Sequence, residues 1–177
     1  MIQLSSFMFM MIGLFGLIGF LRGWIKELIA TAGIILALFA IKQFETLIID
    51  PLTNNEQVPK FYLQALFLLL MTFFAYQTPP ETLSRRKGGT SNREGFQDGV
   101  LGALVGMFNG YLVIGSLWYY MDVLEYPLSP HIAAAAPNTP SADLIDMLPL
   151  TWMLTGDGSL LSILMIGLFI FVIVAVI

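Results

Sequence analysis

The chain has 177 residues, of which 57% are hydrophobic and 11% are charged, and its mean hydropathy is +0.81. Soluble domains are about 45–50% apolar and about 25% charged, so this composition excludes a soluble domain and predicts one helical membrane domain. The net charge of −4 excludes a basic face for nucleic acid, and the absence of Cys excludes disulfides, thiolate metal sites and cysteine nucleophiles.

Five apolar segments are long enough to form membrane helices, because about 20 helical residues cross the ~30 Å hydrocarbon layer. They cover residues 2–21, 27–49, 61–77, 99–121 and 159–177. The prediction is an all-α, polytopic membrane protein with about five spans, four of them in a domain at residues 1–121. The fifth span ends without a basic or aromatic anchor, so we expect either further native chain beyond Ile177 or packing against another element.

A short charged turn, GFLRGWIKE, joins the first two spans. Gly19 and Gly23 flank Arg22, and glycine lets the backbone bend around it. Arg22 and Glu27 are close enough along the chain to form an ion pair, while Lys26 reaches toward the lipid headgroups. The sequence therefore predicts a turn held at the inner membrane interface.

The basic residues are concentrated in the first and third connections between spans, which hold six of the eight Lys and Arg residues. The fourth connection, residues 122–158, holds five acidic residues and no Lys or Arg. Because basic residues are retained on the cytoplasmic side, the predicted topology has the N-terminus outside.

The third connection is predicted as a mobile loop over residues 78–98. Three basic residues within it either only fix this topology or also bind anionic lipid headgroups. They are Arg85, Arg86 and Lys87.

The fourth span carries Gly102, Gly106 and Gly110 at four-residue spacing, with Gly99 next to the same face. Small residues let helix backbones approach closely in lipid, so this spacing predicts a helix-packing groove. Either a helix of the same chain or a helix of another subunit fills it. Asn109 lies in the middle of this span, where its amide either hydrogen-bonds across helices or contacts a substrate.

The fourth connection contains five prolines, which exclude one continuous helix. Ser141 is placed to cap a short helix, with Asp143 in the first turn, where a carboxylate favours the helix dipole. This helix lies either in the outer membrane interface or against the bundle or a partner. Residues 122–158 are thus predicted as an extracytoplasmic, Pro-rich loop with a short amphipathic helix.

The sequence shows no catalytic set, so we expect neither an enzyme nor a cofactor or metal site. The single His131 has no second His to share a metal, and Asp143 with Asp146 is more typical of a solvated helix face. The spans also show no chain of carboxylates for proton-coupled transport, which makes a small transporter or channel the least favoured class.

Two blocks of the sequence resemble the colicin V production protein (CvpA) family. The first is GFLRGWIKELIATAGIILALFA at residues 19–40, and the second is GFQDGVLGALVGMFNGYLVIGSLW at residues 95–118. The chain departs from the family pattern at Gln97 and Asn109, where basic residues are usual, and in its fifth span. The positions that match are Gly19, Arg22, Gly23, Glu27, Asp98, Gly102, Gly106 and Gly110.

The resemblance implies a bacterial inner-membrane protein associated with toxin production or export and with envelope homeostasis. The expected role is a helix-packing scaffold whose partners are the lipid bilayer and other membrane helices, in a homo-oligomer or a larger complex. The alternative is an accessory structural subunit of a large energy-transducing membrane complex. Nucleic acid is not expected as a partner.

Overall fold

The computed structural model describes residues 4–77, 92–155 and 159–176. All regular secondary structure in these ranges is helical, which confirms the predicted all-α class. Among the described residues, four stretches are long and apolar enough to cross a membrane: Leu4–Arg22, Trp24–Thr53, Gln57–Tyr76 and Gly95–Val123. They correspond to the first four predicted spans, with shifted ends.

The first two helices are separated by a single glycine. α1 (Leu4–Arg22) ends directly before Gly23, and α2 (Trp24–Phe44) begins directly after it. Gly23 has φ = 85°, which residues with a Cβ rarely adopt, and a Cβ there would also collide with the Asp98 carboxylate. The turn between the first two spans therefore depends on glycine at this position.

The second span is longer than predicted because its helix continues through a proline. After α2, Glu45–Ile49 form a π-helical segment and Asp50–Thr53 form α3. Pro51 lacks an N–H, and its ring would clash with the carbonyl four residues earlier in an α-helix. The wider π turn before it relieves this clash. Asn54, with φ = 51°, ends α3.

α4 (Gln57–Tyr76) and α5 (Asn92–Val123) also extend beyond their predicted spans. α4 begins two residues before Pro59, which the first helical turn tolerates. α5 begins inside the stretch predicted as a mobile loop, so residues 92–98 correct that prediction: Arg, Glu and Gln among them are good helix formers. Arg85, Arg86 and Lys87 lie outside the described residues.

The segment after α5 folds over one end of the bundle and contains α6 (Pro140–Ile145) and α7 (Pro149–Met153) in its described part. The Thr139 hydroxyl, rather than Ser141, caps α6 by accepting a first-turn N–H at 3.4 Å. Ser141 is instead buried and donates to Ser5 Oγ at 3.0 Å. Of the placements left open by the sequence, α6 therefore packs against the bundle at the start of α1.

α7 and α8 pack against the longer helices. Gly115 of α5 leaves room for the Pro149 ring at the start of α7, because a Cβ at Gly115 would collide with that ring. α8 (Ser159–Val176) contacts α2 and α7, and its Leu161 is buried. α8 has 18 residues without a charged side chain. Its passage through the bilayer stays a prediction, as does the division into regions 1–121, 122–158 and 159–177.

α2 lies at the centre of the fold and contacts α1, α4, α5 and α8. Its inner face is fully buried at Ala30, Ile34, Ala37 and Leu38. Large apolar side chains cover much of the outer surface of the bundle, as a surface facing lipid requires. Polar side chains on the inner face of α2 therefore lie inside the bundle.

Candidate functional site

Glu27 is a charged side chain with 0% of its surface exposed. It lies in the first turn of α2, where the helix dipole favours a carboxylate. The guanidinium of Arg22, the last residue of α1, pairs with it, and Arg22 Nη1 lies 2.5 Å from Glu27 Oε1. Because the Arg22 side chain is only 18% exposed, this ion pair lies inside one end of the bundle.

Tyr76, the last residue of α4, contacts both members of the ion pair from a third helix. Its hydroxyl donates to Glu27 Oε2 at 2.8 Å, and its backbone carbonyl accepts from Arg22 Nη2 at 2.9 Å. The Arg22 guanidinium also lies 4.4 Å from the centre of the Tyr76 ring, in a cation–π arrangement. One tyrosine thus contacts both charges and holds α4 against the turn between α1 and α2.

Asn109 of α5 completes the site from a fourth helix. Its Nδ2 donates to Glu27 Oε2 at 2.9 Å and to the Glu27 backbone carbonyl at 3.1 Å. Its Oδ1 accepts from Thr31 Oγ1 at 2.7 Å, and the Thr31 hydroxyl also lies 2.9 Å from the Glu27 carbonyl. Both carboxylate oxygens of Glu27 therefore have partners within the protein.

We call these residues the Glu27 network: Arg22, Glu27, Thr31, Tyr76 and Asn109. The network joins α1, α2, α4 and α5 through one buried ion pair and its hydrogen bonds. A charge buried this way is stable only while its partners stay in place, so the network fixes the relative positions of the four helices. Within the described ranges, no three His, Cys, Asp or Glu side chains are grouped to hold a metal ion.

α1 and α5 meet through glycines beside the Glu27 network. A Cβ at Gly19 would collide with the Gly102 carbonyl, and a Cβ at Gly102 would collide with the Gly19 carbonyl. A Cβ at Gly106 would collide with the Phe15 carbonyl and lie 3.0 Å from Gly19 Cα, while one at Gly110 would lie 2.9 Å from Phe15 Cβ. In this structure α1 of the same chain fills the groove of α5.

Two further predicted site residues lie at the edge of this contact. A Cβ at Gly99 would lie 2.9 Å from Phe20 Cε2, so the Phe20 ring covers this glycine. Asp98 is exposed, and its carboxylate lies against Gly23 at the N-terminal end of α2. Its negative charge therefore faces the positive end of the α2 dipole, outside the Glu27 network.

Sequence reasoning anticipated the pairing of Arg22 with Glu27 and a polar role for Asn109, but not Tyr76 or Thr31. Tyr76 stands at the end of a predicted span, where tyrosine is typical of the membrane interface, so its position does not mark it as a partner of Glu27. Thr31 follows Glu27 by four residues, and that one-turn spacing was a signal that both side chains share a helix face. The sequence predicts this charged turn at the inner membrane interface, whereas the structure buries the Glu27 side chain fully inside the bundle.

Comparison with known proteins gives one family match over most of the chain. The family model described as Colicin V production protein matches residues 4–141. That range contains α1 to α5 and with them every residue of the Glu27 network, whereas α8 lies beyond it. No curated protein and no solved structure matches the chain.

Proposed function

The chain belongs to the colicin V production protein family, and from this premise we propose that it is a bacterial inner-membrane scaffold for toxin production or export, or for envelope homeostasis. This family is not a known enzyme family. The observation that carries the proposal is the Glu27 network, in which a fully buried carboxylate joins four helices. A bundle fixed in this way presents one outer shape, which a scaffold needs in order to hold partner helices in place.

The proposed orientation places the N-terminus outside and the Glu27 network at the cytoplasmic end. Arg22 and Lys26 lie at that end of the bundle, and the sequence that follows Gln77, the described residue after α4, carries Arg85, Arg86 and Lys87. Basic residues next to a span are retained in the cytoplasm, which supports this direction. The segment with α6 and α7 then faces outward.

A deletion strain of the host bacterium tests the proposed role. We expect plasmid-borne wild-type protein to restore toxin secretion or detergent resistance of the envelope, and Glu27→Gln to restore neither. The matched control is Glu56→Gln, which removes an exposed carboxylate outside the network. If the deletion changes neither secretion nor envelope resistance, or if Glu27→Gln complements fully, the proposal is wrong.

Purification of the tagged protein in mild detergent tests its mode of action. A scaffold is expected to purify as a homo-oligomer or with substoichiometric membrane partners. Stoichiometric recovery of a large energy-transducing complex would instead favour the accessory-subunit alternative. The measurement is the mass of the purified assembly and the identity of its components by mass spectrometry.

A further inference from the structure

A cavity of about 130 Å³ lies at the end of the bundle opposite the Glu27 network. Helices α2, α4 and α5 form most of its walls, and α7 with the residue after it completes them. An apolar cavity of about 150 Å³ holds a benzene molecule, so this cavity has room for one functional group and a few carbon atoms. Its apolar lining consists of Leu38, Ile41, Val123, Leu124, Leu150 and Leu154.

The charged side chains at this cavity are paired with one another. The Glu45 carboxylate accepts from Lys42 Nζ at 3.1 Å and from Lys60 Nζ at 3.0 Å. Lys60 Nζ also lies 2.8 Å from Asp50 Oδ1. Two ammonium groups thus meet two carboxylates, so the cavity suits an uncharged group.

Tyr120 lines the cavity and carries a hydroxyl without a partner. Only 7% of the Tyr120 surface is exposed, and its hydroxyl forms no hydrogen bond with any described residue. Gln64 Oε1 is enclosed by protein atoms, whereas the Tyr120 hydroxyl is not. Polar groups this deeply buried are almost always hydrogen-bonded, and a tyrosine O–H is a donor. The cavity therefore offers a hydrogen-bond donor to a ligand that carries an acceptor.

The cavity lies at the depth where the spans end. Tyr120 precedes Val123, the last residue of α5, by one helical turn, and Lys60 lies in the first turn of α4. In a bilayer this depth is the boundary between headgroups and hydrocarbon, where tyrosine side chains are enriched. The ester groups of glycerophospholipids lie at the same boundary, because they join the acyl chains to the headgroup. Val123 lines the cavity and is 58% exposed, so the cavity reaches the outer surface of the bundle beside this residue.

We propose that this cavity binds the ester carbonyl of a glycerophospholipid together with the first carbon atoms of its acyl chain. The carbonyl oxygen accepts a hydrogen bond from the Tyr120 hydroxyl, and the apolar lining surrounds the carbon atoms. Tyr119 lines the same cavity but is only half-buried, so water reaches it more readily than Tyr120. A lipid whose chains are joined by ether bonds lacks the carbonyl, so the site discriminates against it. The headgroup stays outside the cavity and does not decide binding.

The test compares two short-chain lipids that differ only in the carbonyl groups: dihexanoyl phosphatidylcholine and its dihexyl ether counterpart. The full chain is purified in a maltoside detergent, which contains no ester, and its thermal midpoint is followed against lipid concentration to give each Kd. The ester lipid should bind about fivefold more tightly, as expected for one net hydrogen bond. Tyr120→Phe should abolish this preference, whereas the matched control Tyr119→Phe should keep it.

Each result decides the proposal without reference to the scaffold role or to the orientation of the chain in the membrane. Equal affinity of the wild-type protein for the two lipids, or an unchanged preference in Tyr120→Phe, would overturn it. Loss of the preference in Tyr119→Phe alone would also overturn the assignment to Tyr120. Displacement of the ester lipid by free methyl hexanoate would support the same carbonyl site with a soluble source. If Tyr120→Phe fails to fold, Val123→Trp replaces it, because a large side chain at this exposed position should close the cavity and abolish the preference.

Discussion

At the scale of single residues, the Glu27 carboxylate shows how this chain keeps a charge inside an apolar bundle. Removing a charge from water costs several kcal/mol unless the protein supplies both a countercharge and hydrogen bonds. Arg22 supplies the countercharge from five residues away, whereas Tyr76 and Asn109 lie 49 and 82 positions away. The charge is therefore fully compensated only when all four helices have assembled.

Glu27→Gln should destabilise the protein by about 3 kcal/mol, because it leaves the partly buried Arg22 guanidinium without its countercharge. Equilibrium unfolding in mixed micelles measures this loss. The double variant Arg22→Met with Glu27→Gln should recover part of it, since removing both charges is less costly than removing one. A double variant no more stable than Glu27→Gln would contradict the ion-pair account.

Tyr76→Phe removes one hydroxyl and retains the ring over Arg22. The lost hydrogen bond to a buried carboxylate should cost about 1.5–3 kcal/mol in the same unfolding experiment. Tyr62→Phe is the matched control, because Tyr62 lies on the same helix with 57% of its surface exposed. Equal stability of the two variants would show that the Tyr76 hydroxyl does not contribute to the network.

At the scale of helices, backbone contact between α1 and α5 sets the geometry of the pair. Gly19 and Gly102 face each other so closely that a methyl group on either would meet the other's carbonyl. Lipid provides no hydrophobic force between helices, so this contact depends on van der Waals packing. Close approach here also brings Asn109 of α5 within reach of Glu27 in α2.

Gly106→Ala and Gly13→Ala introduce the same methyl group into two different environments. At Gly106 the methyl group meets the Phe15 carbonyl, so overpacking should cost about 1–3 kcal/mol. At Gly13 it meets nothing within 4 Å, so the lower flexibility of Ala should leave stability unchanged or raise it by up to about 1 kcal/mol. Equal thermal midpoints of the two purified variants would refute the glycine contact.

The helical elements were predictable from the sequence because each long apolar run satisfies its own backbone within a helix. Their ends were less predictable: the continuation through Pro51 depends on a π turn, and the early start of α5 lies in a polar stretch. Within the Glu27 network, the local pair of Arg22 and Glu27 was visible in the sequence. Tyr76 could not be assigned to it, because its contact depends on how distant helices pack.

At the scale of the whole molecule, the two ends of the bundle differ in how far their charged side chains are buried. The Glu27 network buries its ion pair completely on the carboxylate side, whereas the cluster around Lys60 keeps Glu45 and Asp50 partly exposed. The segment that carries α6 and α7 packs at the Lys60 end, where Leu150 and Leu154 line a cavity together with Lys60. The end with the fully buried carboxylate is thus separated along the spans from the end whose ion pairs stay partly exposed.

Reporter fusions test which end faces the cytoplasm. A phosphatase reporter, active only outside the inner membrane, should be inactive when fused at Gly88 and active at Asn55 and Ala134. The physical reason is that basic residues cluster in the sequence around Gly88, whereas the segment around Ala134 carries no Lys or Arg. A reporter that is active only in the cytoplasm should give the opposite pattern and controls for expression. External activity at Gly88 together with its loss at Ala134 would invert the proposed topology and place the Glu27 network at the outer face.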